Sequence, residues 1–253
     1  MIRLSVNVNK IATLRNSRGG NAPSLSEAVD VCVAAGAPGI TVHPRADRRH
    51  ITPEDVRTIR RTLARNARAV ELNVEGDPRA ELIDLVREVR PDQCTLVPVA
   101  PGEITSQAGW RPGTTTERLP DAIRELKDLG VRVSLFVDAD REAVQWAASV
   151  GADRVELYTE PFARAFEQGA DHAQRSLARY AQAAADARGS GLGVNAGHDL
   201  DLANLRVFRQ LPFLDEVSIG HALIARAVFV GLDVVVREYL DVLSSAMIEG
   251  PFR

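Results

Sequence analysis

The sequence predicts an α/β protein in which eight parallel strands alternate with helices and close into a (β/α)₈, or TIM, barrel with extra helices. Three observations support this fold class. The chain has 253 residues, close to the ~250 that this architecture typically needs. Short apolar runs alternate with segments of helical period along the chain. A glycine repeatedly separates a predicted helix from the strand after it.

Eight short apolar runs are predicted to form the strands. They are Leu4–Val8, Gly39–Val42, Ala69–Asn73, Gln93–Val97, Arg132–Phe136, Arg154–Tyr158, Gly193–Asn195 and Glu216–Ile219. Strand–helix alternation predicts a parallel sheet, eight such units predict its closure, and we expect one domain over residues 1–253. The competing architecture, an open doubly wound sheet, usually carries a glycine-rich turn after its first strand. Here that turn, Asn7–Thr13, contains no glycine, which favours the barrel.

The segments between the strands have helical signals. Val56, Ile59 and Leu63 form one apolar stripe, and Thr52-Pro53 places proline at the first helical position. Two segments exceed what a barrel needs. Residues 98–120 form a long loop after the fourth strand, a place where such loops are often functional lids. Residues 232–247 form an extra amphipathic helix, which is expected to cover the core or to contact another subunit.

Composition excludes several classes of function. The net charge of −3 offers no basic surplus for nucleic acid or an anionic membrane. No apolar run approaches the ~20 residues of a membrane span, and the amino terminus has no signal-peptide pattern, so we expect a cytoplasmic protein. The two cysteines, Cys32 and Cys94, lie in apolar surroundings and are predicted to be buried thiols.

Histidines mark the expected functional face. Four of the five, His43, His50, His198 and His221, lie just after predicted strands. In a parallel barrel all carboxyl ends of the strands open onto one face, where catalytic groups collect. Histidine readily carries protons near neutral pH. These residues, which are far apart in the chain, are therefore expected to meet in one pocket.

Two carboxyl groups are candidate general bases or acids. Glu71 and Glu156 stand among apolar residues of the third and sixth predicted strands. Burial raises the pKa of a carboxyl group and suits it to proton transfer. A core salt bridge is the alternative for either residue, and the sequence alone leaves both interpretations open.

Arginines and small residues indicate phosphate binding. Arg45 and His50 lie within the basic segment after the second strand, and Arg18 lies in a glycine-rich loop. Gly220-His221 begins a helix after the eighth strand, the recurrent phosphate site of barrel enzymes. Asn7 and Asn9 alternate along the first strand and its turn, so we expect both to line the mouth. No residue spacing predicts a metal site.

Five motifs, taken together, resemble the pyridoxine 5′-phosphate synthase family. They are Ile11–Gly19, Gly39–Ile51, Val133–Asp140, Val194–His198 and Ile219–Ala222, and they span almost the whole chain in order. The resemblance implies condensation of 1-deoxy-D-xylulose 5-phosphate with 3-amino-2-oxopropyl phosphate, which yields pyridoxine 5′-phosphate, phosphate and water. It also implies that no metal or organic cofactor is needed, and that the chain assembles as a homo-octamer.

The resemblance also assigns roles to individual residues. His43 and Glu71 would be general bases, His198 the general acid, and Glu156 a residue that stabilises a transition state. The deoxyxylulose phosphate would contact Asn9, Lys10, Arg45, His50 and Thr105. The amino ketone phosphate would contact Asn7, Arg18, Asp199, Gly220 and His221.

The chain departs from the family pattern at two places. Asn9-Lys10 stands where many members carry Asp-His, and Lys10 is expected to act as a charged clamp on the sugar phosphate. Asp199 stands where glycine is common, and a carboxylate beside a phosphate site is unfavourable unless it is turned away.

Two other functions stay open on the sequence. A different phosphate-binding barrel, such as an isomerase or a Schiff-base aldolase, would in the aldolase case need Lys10 as its nucleophile. A non-catalytic relative that lost activity through Asn9-Lys10 is the second alternative. It leaves the retention of His43, Glu71 and His198 without a purpose.

Overall fold

A computed structural model describes residues 1–98, 108–113 and 118–245. Eight parallel strands form a closed barrel in chain order, and β8 pairs with β1. The strands are β1 Arg3–Asn7, β2 Gly39–Val42, β3 Glu71–Gly76, β4 Gln93–Leu96, β5 Arg132–Val137, β6 Arg154–Tyr158, β7 Gly193–Gly197 and β8 Leu214–Ile219. The predicted (β/α)₈ fold class is confirmed.

Eleven helices lie within the described residues. They are α1 Asn9–Asn16, α2 Leu25–Ala35, α3 Pro53–Ala64, α4 Ala80–Val89, α5 Leu119–Asp128, α6 Arg141–Ser149, α7 Glu160–Glu167, α8 Ala170–Gly189, α9 Leu202–Phe208, α10 His221–Val230 and α11 Leu232–Ser244. Helix α11, in the place predicted for the extra helix, packs against α2, α9 and α10. Within these ranges, no helix combines the length and apolar content that crossing a bilayer requires.

One strand boundary differs from the prediction in a way that matters for the site. Strand β3 begins at Glu71 and continues to Gly76, whereas the sequence predicted Ala69–Asn73. Its pairing with β4 runs from Asn73 opposite Gln93 to Gly76 opposite Leu96. A charged residue followed by glycine at positions 75 and 76 is typical of a turn. The neighbouring strand nevertheless keeps both in the sheet.

The interior of the barrel is polar. Ser5 Oγ lies 2.6 Å from Thr41 Oγ1, Asn73 Nδ2 donates to Thr41 Oγ1 at 3.3 Å, and Thr95 Oγ1 donates to Asn73 Oδ1 at 3.0 Å. All four residues are at most 3% exposed. Branched apolar side chains usually fill this position in such barrels. Here the apolar side chains face outward instead and pack beneath the helices.

Aspartates at the start of three alternate strands fasten the preceding strand. Asp92 accepts a hydrogen bond from the Leu72 amide at 2.9 Å, and Asp153 accepts one from the Val133 amide at 2.8 Å. Asp215 is the third member and accepts from the amide of Val194 at 3.0 Å. A carboxylate is a strong acceptor for a backbone amide. The three aspartates therefore satisfy amides at the amino-terminal rim of the barrel.

The described part of the long loop after β4 is anchored. The Trp110 amide donates to Phe136 O at 2.8 Å, and its indole donates to Leu96 O at 3.0 Å. A Cβ on Gly109 would lie 2.3 Å from the Val137 backbone, so only glycine fits there. Residues 99–107 and 114–117, and with them most of the predicted lid, lie outside the described residues.

We predict that Asp153→Ala lowers the free energy of unfolding by about 1–2 kcal/mol, because the Val133 amide loses its charged acceptor. Chemical denaturation followed by circular dichroism measures this. Asp128→Ala removes an exposed carboxylate at the end of α5 and is the control. Equal unfolding free energies for the two variants would contradict the role of the aspartate.

Candidate active site

A cavity of about 450 Å³ opens at the carboxyl ends of the strands. Its lining includes Asn7, Asn9, Lys10, His43, Arg45, His50, Glu75, Phe136, Glu156, His198, Asp199, Gly220 and His221. These residues follow or end strands that are far apart in the chain. The four histidines that follow strands all line this one cavity, as the sequence predicts.

His43 and Glu75 form the centre of one wall. His43 Nδ1 lies 3.9 Å from Glu75 Oε2, and the His43 amide donates to Asn9 Oδ1 at 2.9 Å. Burial, then electrostatic interaction with His50 and Arg45, lower the pKa of His43 well below its ordinary value. Burial, then Glu156 and Glu216, raise the pKa of Glu75 well above its ordinary value. Burial thus favours the uncharged form of both groups, a neutral imidazole and a protonated carboxyl group.

His43 Nε2 is prepared for a ligand. This nitrogen is buried and has no hydrogen-bond partner among the described residues. A buried polar atom without a partner is costly. A substrate group in the cavity would satisfy it.

Glu156 rises from the middle of β6 into the same cavity. It is 2% exposed, and burial, then the nearby Glu216, raise its pKa to about 8. A Cβ on Gly197 of the neighbouring strand would lie 2.4 Å from Glu156 Oε1. The glycine at the end of β7 therefore makes room for the carboxyl group. Glu156 thus lies in the sixth strand and among the residues that line the cavity.

His198 follows β7 with a left-handed backbone at φ 84°. Its ring packs 4.9 Å from that of Phe136 and 5.5 Å from that of Tyr158, measured between centroids. Burial lowers the pKa of His198, and the charge of Asp199 opposes that shift. The imidazole is held between two aromatic rings at the cavity wall.

Basic groups gather on the side of β2. Arg45 is only 7% exposed, and His50 Nδ1 accepts a hydrogen bond from the Ile51 amide at 2.9 Å. Accepting at Nδ1 places the proton of the neutral ring on Nε2, as a donor. Burial, then Arg45 and Lys10, lower the pKa of His50 to about 4. This cluster is suited to a substrate anion, because donors and positive charge meet there.

A second anion site lies at the amino terminus of α10. Gly220 packs against Asn7, where an added Cβ would lie 3.1 Å from Asn7 Cβ, and His221 begins the helix. Unpaired amides at a helix amino terminus favour negative charge. The cavity therefore offers two candidate anion sites, the β2 side and the start of α10, together with groups suited to proton transfer.

Comparisons with known proteins agree with this geometry. Residues 4–245 match the family described as "Pyridoxal phosphate biosynthesis protein PdxJ". The chain belongs to this family. Pyridoxine 5′-phosphate synthase of Porphyromonas gingivalis is 49% identical over 245 residues, covering 96% of this chain and 100% of the relative. The synthase of Cytophaga hutchinsonii is 50% identical over 241 residues, covering 95% and 98%.

Solved structures with the same fold are more distant in sequence. The 3-hexulose-6-phosphate synthase of Salmonella typhimurium superposes with a TM-score of 0.65 at 12% identity, covering 96% of this chain and 98% of that one. The thiamine phosphate pyrophosphorylase of Pyrococcus furiosus gives 0.63 at 13% identity, covering 96% and 95%. At such identities the likeness concerns the barrel fold alone.

The predicted placement of Glu71 at the catalytic face is wrong. Glu71 is the first residue of β3, at the amino-terminal mouth, where it pairs with Arg132 and lies 3.3 Å from Arg3. Glu75 lies four residues further along the same strand, on the same face, and lines the cavity at the opposite end of the barrel. The salt-bridge alternative is therefore correct for Glu71. The signal for Glu75 was the even spacing, which keeps 71, 73 and 75 on one face.

Three other predicted contacts have different outcomes. Arg18 is exposed in the loop after α1, outside the residues that line the cavity. Thr105 lies outside the described residues. Asp199 is exposed at the rim with a left-handed backbone at φ 55°, a conformation that aspartate tolerates better than most residues. Across residues 1–98, 108–113 and 118–245, no group of side chains suits a metal ion.

We predict that Glu156→Gln stabilises the protein increasingly as pH rises. The folded pKa of about 8 exceeds the ordinary 4.5. Between these two values the carboxyl group ionises in the unfolded chain but stays protonated in the barrel, so the wild-type protein loses stability as pH rises. Glutamine carries no such charge. Unfolding free energies measured from pH 5 to pH 8.5 should diverge in favour of the variant.

The control for this comparison is Glu142→Gln, which alters an exposed carboxylate on α6. Its difference from the wild type should stay flat over the same pH range. A flat difference for Glu156→Gln as well would refute the burial of a protonated acid.

Proposed function

We propose that the chain condenses 1-deoxy-D-xylulose 5-phosphate with 3-amino-2-oxopropyl phosphate to form pyridoxine 5′-phosphate, phosphate and water. Membership of the family, and relatives that carry the name pyridoxine 5′-phosphate synthase, support this activity. The observation that carries it is a single cavity lined by His43, Glu75, Glu156 and His198 together with two candidate anion sites. Two phosphorylated substrates need two such sites.

The buried acid and base groups suit the proton transfers of the reaction. Imine formation, dehydration and ring closure each move protons onto or off oxygen, nitrogen and carbon. His43 acts as the general base through Nε2, and Glu75 takes the part that the sequence assigned to Glu71. His198 is the general acid. Burial lowers the pKa of the imidazoles and raises that of the carboxyl groups, which brings acids and bases closer in proton affinity and suits them to proton transfer in both directions.

Glu156 acts electrostatically. Its carboxyl group lies deeper in the barrel than the histidines, with a pKa of about 8. A neutral acid there donates a hydrogen bond, and an ionised one stabilises a developing cation. We expect no metal or organic cofactor, because these side chains supply the acid–base chemistry.

The two substrates are assigned to opposite sides. Lys10, Arg45 and His50 hold the deoxyxylulose phosphate, and Asn9 supports this side by holding the His43 amide. The amino ketone phosphate rests on Asn7, Gly220 and His221 at the start of α10. Asp199 contributes through its backbone there. Thr105 keeps its family assignment as a substrate contact.

The decisive experiment incubates the purified chain with both phosphorylated substrates. Pyridoxine 5′-phosphate and inorganic phosphate should appear together in equal amounts. An isomerase or aldolase would instead convert a single phosphorylated substrate. In the aldolase case, borohydride would trap a Schiff base on Lys10. A non-catalytic relative would bind both compounds without product.

Glu75→Gln should lower kcat by ~10²-fold or more, because glutamine cannot transfer a proton. Glu71→Gln is the matched change at the other end of β3, and it should leave kcat within about 3-fold of the wild type. Steady-state assays with both substrates give the two values. The reverse order, with Glu71→Gln the more damaging variant, would restore the sequence-based assignment.

Lys10→Ala should raise the KM for the deoxyxylulose phosphate by roughly 3- to 10-fold, because a charged contact to phosphate is lost. The KM for the amino ketone phosphate should change less. Lys127→Ala, which alters the exposed lysine at the end of α5, is the control. An unchanged KM in Lys10→Ala would refute the proposed contact between Lys10 and the sugar phosphate.

We also propose the homo-octamer and the cytoplasmic location. Exposed apolar side chains cluster where α10 meets α11: Val228, Phe229, Val230 and Val234, with Phe229 88% exposed. Such a patch favours contact with another subunit. Both cysteines are free and buried, as in a reducing compartment. Phe229→Asp should lower the mass in light scattering from about eight chains to a smaller species, and an unchanged mass would exclude this surface.

A further inference from the structure

Thr159 stands at an unusual point between β6 and α7. It is the residue that precedes α7, where threonine side chains commonly accept a hydrogen bond from the first turn. Here the side chain makes no such bond. Thr159 is fully buried, and its hydroxyl points across to the end of β7.

The hydroxyl meets the backbone that carries His198. Thr159 Oγ1 lies 2.6 Å from the carbonyl oxygen of Gly197 and donates also toward the carbonyl oxygen of His198. The Thr159 amide donates to the same Gly197 oxygen at 3.0 Å. Two donors from one residue thus hold two consecutive carbonyl groups.

That backbone has a conformation that needs support. His198 has φ 84° and Asp199 has φ 55°, so two non-glycine residues in succession are left-handed. Such residues persist where the surroundings hold them, and they cluster at functional sites. The turn places the His198 ring against Phe136 and Tyr158 at the cavity wall.

The position of Thr159 is itself secured. The hydroxyl of Tyr180 on α8 donates to the carbonyl oxygen of Tyr158. The neighbouring peptide is therefore fixed to the helix layer. The Thr159 hydroxyl is therefore held in a defined position, from which it can hydrogen-bond the end of β7.

We propose that Thr159 is a positioning residue for His198: the Thr159 hydroxyl holds the left-handed turn that directs the His198 imidazole into the cavity. It does not touch substrate. The inference rests on the proposed role of His198 as general acid. It adds that a buried threonine fixes the orientation of that acid.

The test compares variants that keep or remove the hydroxyl. Thr159→Val keeps the shape and loses the donor, so kcat should fall by ~10-fold or more while both KM values stay within about 3-fold. Thr159→Ser keeps the donor and should retain kcat within about 3-fold. Thr62→Val makes the same change at a buried threonine of α3 and should leave kcat unchanged.

A second readout does not depend on turnover. The titration of His198 is followed by NMR, with its signal assigned through His198→Asn. In Thr159→Val the pKa of His198 should move up from its lowered value toward the ordinary one, because the ring leaves its buried place. Thr159→Ser should titrate like the wild type.

Each outcome has a distinct meaning. Wild-type kcat and titration in Thr159→Val would overturn the inference, and so would equal losses in Thr159→Val and Thr159→Ser. A wild type without synthase activity, but with the titration shift confined to Thr159→Val, would refute the proposed function and leave the positioning role. If Thr159→Val does not fold, Thr159→Cys replaces it. Its weak thiol donor should give lower kcat than Thr159→Ser, and equality would overturn the proposal.

Discussion

The structure depends on the burial of carboxyl groups inside a closed barrel. Glu75, Glu156 and Glu216 are buried in the interior. Burial, then Glu156 and Glu216, raise the pKa of Glu75, and burial, then Glu216, raise the pKa of Glu156. Such a column is tolerable only if the acids stay protonated or find partners. At the amino-terminal end Glu216 lies 3.6 Å from Arg3, and polar side chains line the middle. For Glu75 and Glu156, near the cavity, burial shifts the pKa upward and favours the neutral form.

This constraint produces the chemical character of the cavity. Burial raises the pKa of Glu75 and Glu156 and lowers the pKa of His43 and His198, so that it favours the uncharged form of all four groups. Charge is instead concentrated at the rim, where Arg45 and Lys10 face the β2 side. The arrangement separates the two tasks of binding phosphates and moving protons. The same desolvation that costs stability holds acids and bases ready near neutral pH.

Much of the site could be predicted because strand ends in a parallel barrel share one face. His43, His198 and Glu156 needed only an approximately correct strand assignment, since a shift of one or two residues leaves them at the same mouth. The assignment of Glu71 to the catalytic face, in contrast, depended on the exact end of β3. The two glutamates of β3 differ by four residues, about 13 Å along an extended strand, and this distance separates the two ends of the barrel. Local pattern placed the end of β3 at Asn73, while pairing with β4 carried it to Gly76.

The sequence by itself determined the barrel, because alternating strand and helix signals, glycines at helix ends and chain length are all local properties. It also determined the family and the chemistry expected of it, through motifs read residue by residue. Only the tertiary structure decided which glutamate faces the cavity, which aspartates fasten neighbouring strands, and why Thr159 turns away from its own helix toward His198. Each of these depends on the register between strands and on contacts between residues distant in the chain, and neither propensity nor periodicity contains that information.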